Sequence, residues 1–208
     1  MKNTKEKIQE AARKLFNHHG YAQVTIRMIA KAAGMSSGNL NYHFRKREDV
    51  LEALYFEMVE VFDRRVAALP QTEFSFSQIL KDIRESMERM VAYRFFWADL
   101  HYLLKSNETI RSHFTKAYEQ RKAGYLFLFS ELQRQALMRP PDFEGEYSFL
   151  AERMLAYSDT WVYASQLGEK GGQSAFHLDE HAVALLMFLY PQLTEKGKEE
   201  VRGVVERE

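Results

Sequence analysis

Between Ser36 and Phe44 the chain is short, polar and amide-rich, with side chains suited to hydrogen bonding. Asn39 and Asn41 each carry a carbonyl oxygen beside an amide, the acceptor-and-donor pair that matches the major-groove edge of adenine. The hydroxyls of Ser36, Ser37 and Tyr42 suit phosphate oxygens, Gly38 permits close approach, and His43 can add a phosphate contact. Lys46 and Arg47 follow in a cationic run with Arg45 that supplies further phosphate contacts. Upstream, Thr25 and Arg27 stand where a helix would begin, and the free amides of a helix start favour anions. These eleven positions, from Thr25 to Arg47, form a candidate surface for double-stranded DNA.

Other chemistries find less support. The chain has no Cys, which removes disulfides and thiolate metal sites and fits a reducing cytoplasm. No G-x-S-x-G occurs, and no carboxylate pair or Ser/His/Asp set assembles by spacing, so no catalytic residue and no enzyme activity are expected. His177 and His181 are four apart with Asp179 and Glu180 between them. Two His near a helix start are ordinarily just polar, so neither a metal nor another cofactor is expected.

The elements that must hold the polar stretch follow from periodicity. A first helix is predicted from about Lys5 to His18, with Ile8, Ala11, Ala12, Leu15 and Phe16 on one stripe, Asn3 and Glu6 as its cap, and Gly20 ending it. Thr25 caps a second helix to about Ala32, and Gly34 can take the left-handed turn. Ser36 caps a very short third helix to about Tyr42, giving helix-turn-helix spacing. A long helix follows from Asp49 to about Ala68. Further helices are expected over about 76–104, 114–137, 145–167, 178–190 and 194–205, with loops at 139–146 and 168–176. No strand pattern appears; the fold is predicted to be all-α. The division along the chain is expected at 50/51, a DNA-binding head and a larger helical body.

Charge agrees with that division. The whole chain is neutral, but residues 1–50 hold ten Lys/Arg against four acids, a net of +6, and the remainder carries −6. A basic head on an acidic body directs a positive field at one part of the surface.

The order of these features resembles the DNA-binding domain of TetR-family regulators. Ala12, Leu15, Phe16, Gly20 and Tyr21 read A-x-x-L-F-x-x-x-G-Y; residues 25–36 read T-I-x-x-I-A-x-A-A-G-M-S; residues 38–51 read G-x-L-x-Y-H-F-x-x-R-E-D-V-L. Members often carry an aromatic where Asn41 stands. The resemblance covers about a quarter of the chain. It implies an all-α homodimer whose C-terminal domain binds a small effector that changes affinity for a DNA operator.

The body supplies its own expectations. Arg94, Trp97, His101, Tyr118, Tyr125, Tyr157 and Trp161 join aromatic surface to a few polar groups, as a pocket for a largely apolar effector requires. Arg94 and His101, seven apart on one expected helix, would together orient a polar head. The 178–190 segment is apolar nearly all round and needs covering on two sides. Leu185 and Leu189, with Ala156, Thr160, Tyr163 and Ala164 of the preceding helix, are the expected homodimer contacts. The longest apolar run, 182–190, is about half a membrane span, so no membrane partner is expected. The expectation is a cytoplasmic, ligand-responsive repressor on a near-palindromic operator. The alternatives are a ligand-independent or activating regulator, and a helical carrier or enzyme with an incidental helix-turn-helix.

Overall fold

The computed structural model describes residues 3–68, 74–167 and 176–207, with the side chains of 61 and 63–68 outside the description. Its described residues are helical with no strand. The helices are α1 Thr4–His19, α2 Ile26–Ala32, α3 Ser37–His43, α4 Arg47–Ala68, α5 Phe76–Ala92 and α6 Arg94–Ala98. They continue with α7 Leu100–Ser106, α8 Glu108–Arg134, α9 Glu146–Leu167, α10 Leu178–Met187 and α11 Glu195–Val205. No helix among the described residues is long and apolar enough to cross a membrane.

Two compact units emerge, residues 1–63 with 92–115, and residues 64–91 with 116–208. The chain therefore passes twice through the first unit, whereas the division expected at 50/51 passes once. In the first unit α1 starts with a reciprocal cap: Asn3 Oδ1 accepts from the Glu6 amide at 2.9 Å, and Glu6 Oε2 accepts from the Asn3 amide at 3.0 Å. Ile8, Ala12 and Phe16 of α1 are buried with Ile29, Leu40, Val50, Leu51 and Leu54 from α2, α3 and α4. Each large apolar side chain so buried contributes about 1.5–3 kcal/mol, which is why α3 is held although Leu40 is its one buried residue.

One expected helix, 76–104, is broken into α5, α6 and α7. Tyr93 (φ −120°, ψ 34°) and Asp99 (φ −108°, ψ 18°) leave helical geometry. At the first break Asn17 of α1 donates from Nδ2 to the Ala92 carbonyl at 2.9 Å and accepts the Phe95 amide on Oδ1 at 3.1 Å. A side chain from another helix thus satisfies groups that the continuous helix would have paired internally. Arg94 and His101 consequently lie on different helices, and the expectation that they share one helix face is corrected. Likewise α8 begins earlier than expected, because Asn107 Oδ1 caps it by accepting the Ile110 amide at 2.9 Å.

The second unit buries Leu150, Met154, Leu155, Trp161 and Val162 of α9 with Ala182, Leu185 and Leu186 of α10 and Val201 of α11. Leu185 and Leu189 are 3% and 0% exposed, so both belong to this unit's own core and the expected homodimer role for them is corrected. The other side of this segment is only partly covered within the unit: Val183, Met187 and Phe188 are half-buried and Ala184 is exposed. Ala156, Thr160, Tyr163 and Ala164 stand exposed along α9. The expected loop at 168–176 lies largely outside the described residues.

Candidate nucleic-acid interface

Helix α2, the turn at Ala33–Ser36 and helix α3 form the motif. Gly34 has φ +70°, a conformation that a side chain at this position would strain. Thr25 Oγ1 accepts the Met28 amide at 3.3 Å, and Ser36 Oγ accepts the Asn39 amide at 3.2 Å. An oxygen used this way as acceptor leaves its own O–H free to donate outward, as a phosphate contact needs.

Leu40 and Phe44 turn inward, and Ser36, Ser37, Gly38, Asn39, Asn41 and Tyr42 are exposed. Tyr42 is 86% exposed, its ring edge-on to the half-buried His43 at 5.2 Å. Thr25, Arg27, Arg45 and Lys46 are exposed as well. Asp49 Oδ2 accepts both the Arg45 amide (2.9 Å) and the Lys46 amide (3.1 Å), pinning the backbone that carries these cations. Ten of the eleven expected positions therefore lie on or beside the motif, nine exposed and His43 half-buried.

Arg47 is placed differently. Its Nη1 donates toward the carbonyls of Tyr21, Ala22 and Val24, and its guanidinium carbon sits 4.1 Å over the Tyr21 ring. The expectation of a cation free for phosphate is corrected at this residue: the oxygens ending the 21–23 turn already hold it. Tyr21 donates its hydroxyl to Glu48 Oε1 at 3.2 Å. Burial pushes the Tyr21 phenol up to about 12, against the opposing pull of Arg47.

The residues expected to line an effector pocket divide between units. Arg94, Trp97 and His101 belong to the first: Trp97 is buried against Phe96 and Phe114 with an indole N–H that lacks a hydrogen-bond partner, and His101 is exposed. Tyr118, Tyr125, Tyr157 and Trp161 belong to the second. There Tyr125 stacks on Phe129 at 6.1 Å, and the Trp161 indole donates to Met90 Sδ at 3.4 Å.

Tyr157 pairs with His181 Nδ1 at 2.7 Å, and His181 Nε2 lies 3.0 Å from Ser165 Oγ. Ser165 commits its O–H to the Trp161 carbonyl at 2.8 Å, so Nε2 is the His181 donor and Nδ1 accepts from Tyr157. Burial pushes the His181 imidazole below its ordinary value, in keeping with that neutral form.

Sequence reasoning missed the Arg121–Asp159 pair, 2.7 Å apart and linking α8 to α9. Arg121 Nη2 also donates at 2.9 Å to Oγ of Ser158, the residue before Asp159 on α9. Burial raises the Asp159 carboxyl against the pull of Arg121; burial disfavours the Arg121 cation, but Asp159 outweighs it and holds the guanidinium above its usual value. Nothing in the spacing of residues 121 and 159 announces the contact. A separate cleft of about 400 Å³ lies among Ser75, Phe76, Ser77, Glu199, Glu200, Gly203, Val204 and Arg207, and contains none of the expected pocket residues.

Comparison with known proteins accords with this geometry. Residues 8–54 match the family described as bacterial regulatory proteins, tetR family, and residues 57–201 match the family described as bacterial transcriptional repressor. The chain is 31% identical over 87 residues to the HTH-type transcriptional repressor AcnR of Corynebacterium glutamicum, covering 42% of this chain and 44% of that one. Across five curated relatives the match spans between 30% and 54% of their length. A TetR-family transcriptional regulator from Marinobacter aquaeolei VT8 superposes with a TM-score of 0.88 at 24% identity, over 99% of this chain and 98% of that one. A regulator from Saccharomonospora viridis, in complex with choline, gives 0.67 at 24% identity over 92% and 98%. At such identities the structural likeness speaks for the fold.

Proposed function

We propose, from the premise that this chain belongs to the tetR family of bacterial regulatory proteins, that it is a dimeric, cytoplasmic repressor which leaves its operator when a small molecule binds. The family consists of regulators rather than enzymes. The observation that carries the DNA-binding part is the surface of α3. A tyrosine ring 86% exposed, beside two asparagines and three hydroxyl or glycine positions, is poorly used in a free monomer and well suited to a major groove. The basic head supplies the sequence-independent attraction.

A homodimer would set two α3 helices about one helical turn apart on a near-palindromic operator. The exposed row of Phe149, Ala156, Thr160, Tyr163 and Ala164 on α9 supports that assembly. Effector release would require a ligand that binds one conformation of the dimer better than the other. Aromatic groups beside a few polar ones in the second unit support a largely apolar effector, and a protein of the same fold has been obtained with choline.

The test is binding of the full-length protein to the DNA beside its own gene, in a salt series with an unrelated duplex as control. Preference for that fragment by about a thousandfold or more is expected of a specific regulator. Equal affinity for both duplexes would favour a carrier with an incidental helix-turn-helix.

A further inference from the structure

We propose that Arg47 is a positioning residue for DNA binding, acting through residues 21–25 and not through a phosphate of its own. The inference rests on the DNA-binding reading above. The Arg47 Nη1 lies 3.2 Å from the Tyr21 carbonyl oxygen, 3.4 Å from that of Ala22 and 3.0 Å from that of Val24. The guanidinium covers the Tyr21 ring at 4.1 Å, and Nη2 is 3.5 Å from Glu48 Oε1. Only 24% of the side chain is exposed. Its neighbours Arg45 and Lys46 are exposed, so the run splits into two cations facing outward and one facing in.

Carbonyl oxygens that converge at the end of the short 21–23 turn present a concentrated negative end, and a planar cation satisfies them while stacking on the ring beside them. Turning Arg47 out to a phosphate would remove this shared donor, leaving the Tyr21 carbonyl only the Val24 amide at 3.3 Å, and would strip the Tyr21 ring of its cation. The consequence for DNA binding is one of position. Val24 directly precedes Thr25, whose hydroxyl caps α2. Glu48, the next residue of α4, receives the Tyr21 hydroxyl. The first turn of α4 thus grips the segment that decides where α2 starts, and with it where Thr25 and Arg27 are offered to the DNA backbone.

The experiment compares Arg47→Gln, Arg47→Lys and Tyr21→Leu with the unaltered full-length protein. The probe is a duplex that the unaltered protein selects from a random-sequence pool, titrated across a salt series, with folding checked by circular dichroism. Tyr21 is buried and cannot itself reach DNA. Arg47→Gln and Tyr21→Leu are each expected to weaken binding by about tenfold, with the salt slope unchanged and the double variant no weaker than the weaker single one. Arg47→Lys keeps the charge, but its ammonium ends one bond short and cannot stack as a plane, so it weakens binding as well.

A salt slope shallower by about 0.9 in Arg47→Gln, with affinity and slope restored in Arg47→Lys, would mean direct phosphate contact and overturn the proposal. Unchanged affinity in Arg47→Gln would overturn it too. Should Tyr21→Leu fail to fold, the two Arg47 variants decide alone. If the unaltered protein enriches no duplex, the DNA-binding reading itself falls and takes this inference with it.

Discussion

Asn39 and Asn41 sit two apart on a helix of seven residues, so they project at about 200° to each other around its axis. Both are nonetheless exposed, because Leu40 between them takes the one inward position. They therefore address different neighbours on a duplex: at most one can meet a given base edge, and the other meets a flanking position or the backbone. Replacing the base-reading asparagine by Ala should cost about 1–3 kcal/mol at one symmetry-related position and relax preference there. Binding selections with Asn39→Ala and Asn41→Ala check this, and equal losses at every base for both variants would remove adenine reading from α3. The exposed Tyr42 and the inward Arg47 show how neighbouring polar residues divide their work. One has no partner within the chain's core; the other has three carbonyls, a ring and a carboxylate.

Helix ends decide much of the second unit. After α8 the chain turns through Ala136 at φ +57°, with the Ala136 amide bonded to the Gln133 carbonyl and the Leu137 amide to that of Leu132. This is a left-handed helix terminus, a place where glycine is unstrained and alanine is not. The Ala136 carbonyl is itself held by Thr194 Oγ1 at 2.8 Å, so the strained geometry is tied to the start of α11. Ala136→Gly should raise the stability of the full-length protein by about 1 kcal/mol, measured as a shift of the denaturant midpoint at unchanged m-value. A lower midpoint would show that the unfolded chain's added freedom outweighs the relieved strain. The opposite substitution applies within α11, where a Cβ on Gly197 would run into the Leu137 carbonyl. There the absence of a side chain is what lets the helix lie against that backbone.

For the molecule as a whole, the consequence of these packings is that Leu185 and Leu189 are not available to a partner, whereas one face of α9 is. Phe149 and Tyr163 are 58% and 51% exposed, and with Ala156 and Thr160 they follow helical spacing along one face. Exposed apolar surface of this extent ordinarily marks an interface. Light scattering of full-length Ala156→Glu or Tyr163→Asp should report the single-chain mass with unaltered circular dichroism, where the unaltered protein reports twice that mass. Leu185→Asp should instead unfold the protein, since it buries a carboxylate without a partner. A dimer that survives both surface variants would place the contact elsewhere.

The linear sequence by itself determined the all-α class, the α1–α3 motif and its caps, because helix periodicity, Gly34 and the Asn3, Thr25 and Ser36 caps act over a few residues. It also determined the separation of charge between head and body. Only the tertiary structure decided three other matters: that Asn17 breaks the helix at 92–95, that Arg47 faces inward, and that Arg121 meets Asp159. Each depends on a partner 23 or more residues away along the chain. Local propensity is blind to such a partner, and the side chain settles on the groups that packing brings within reach.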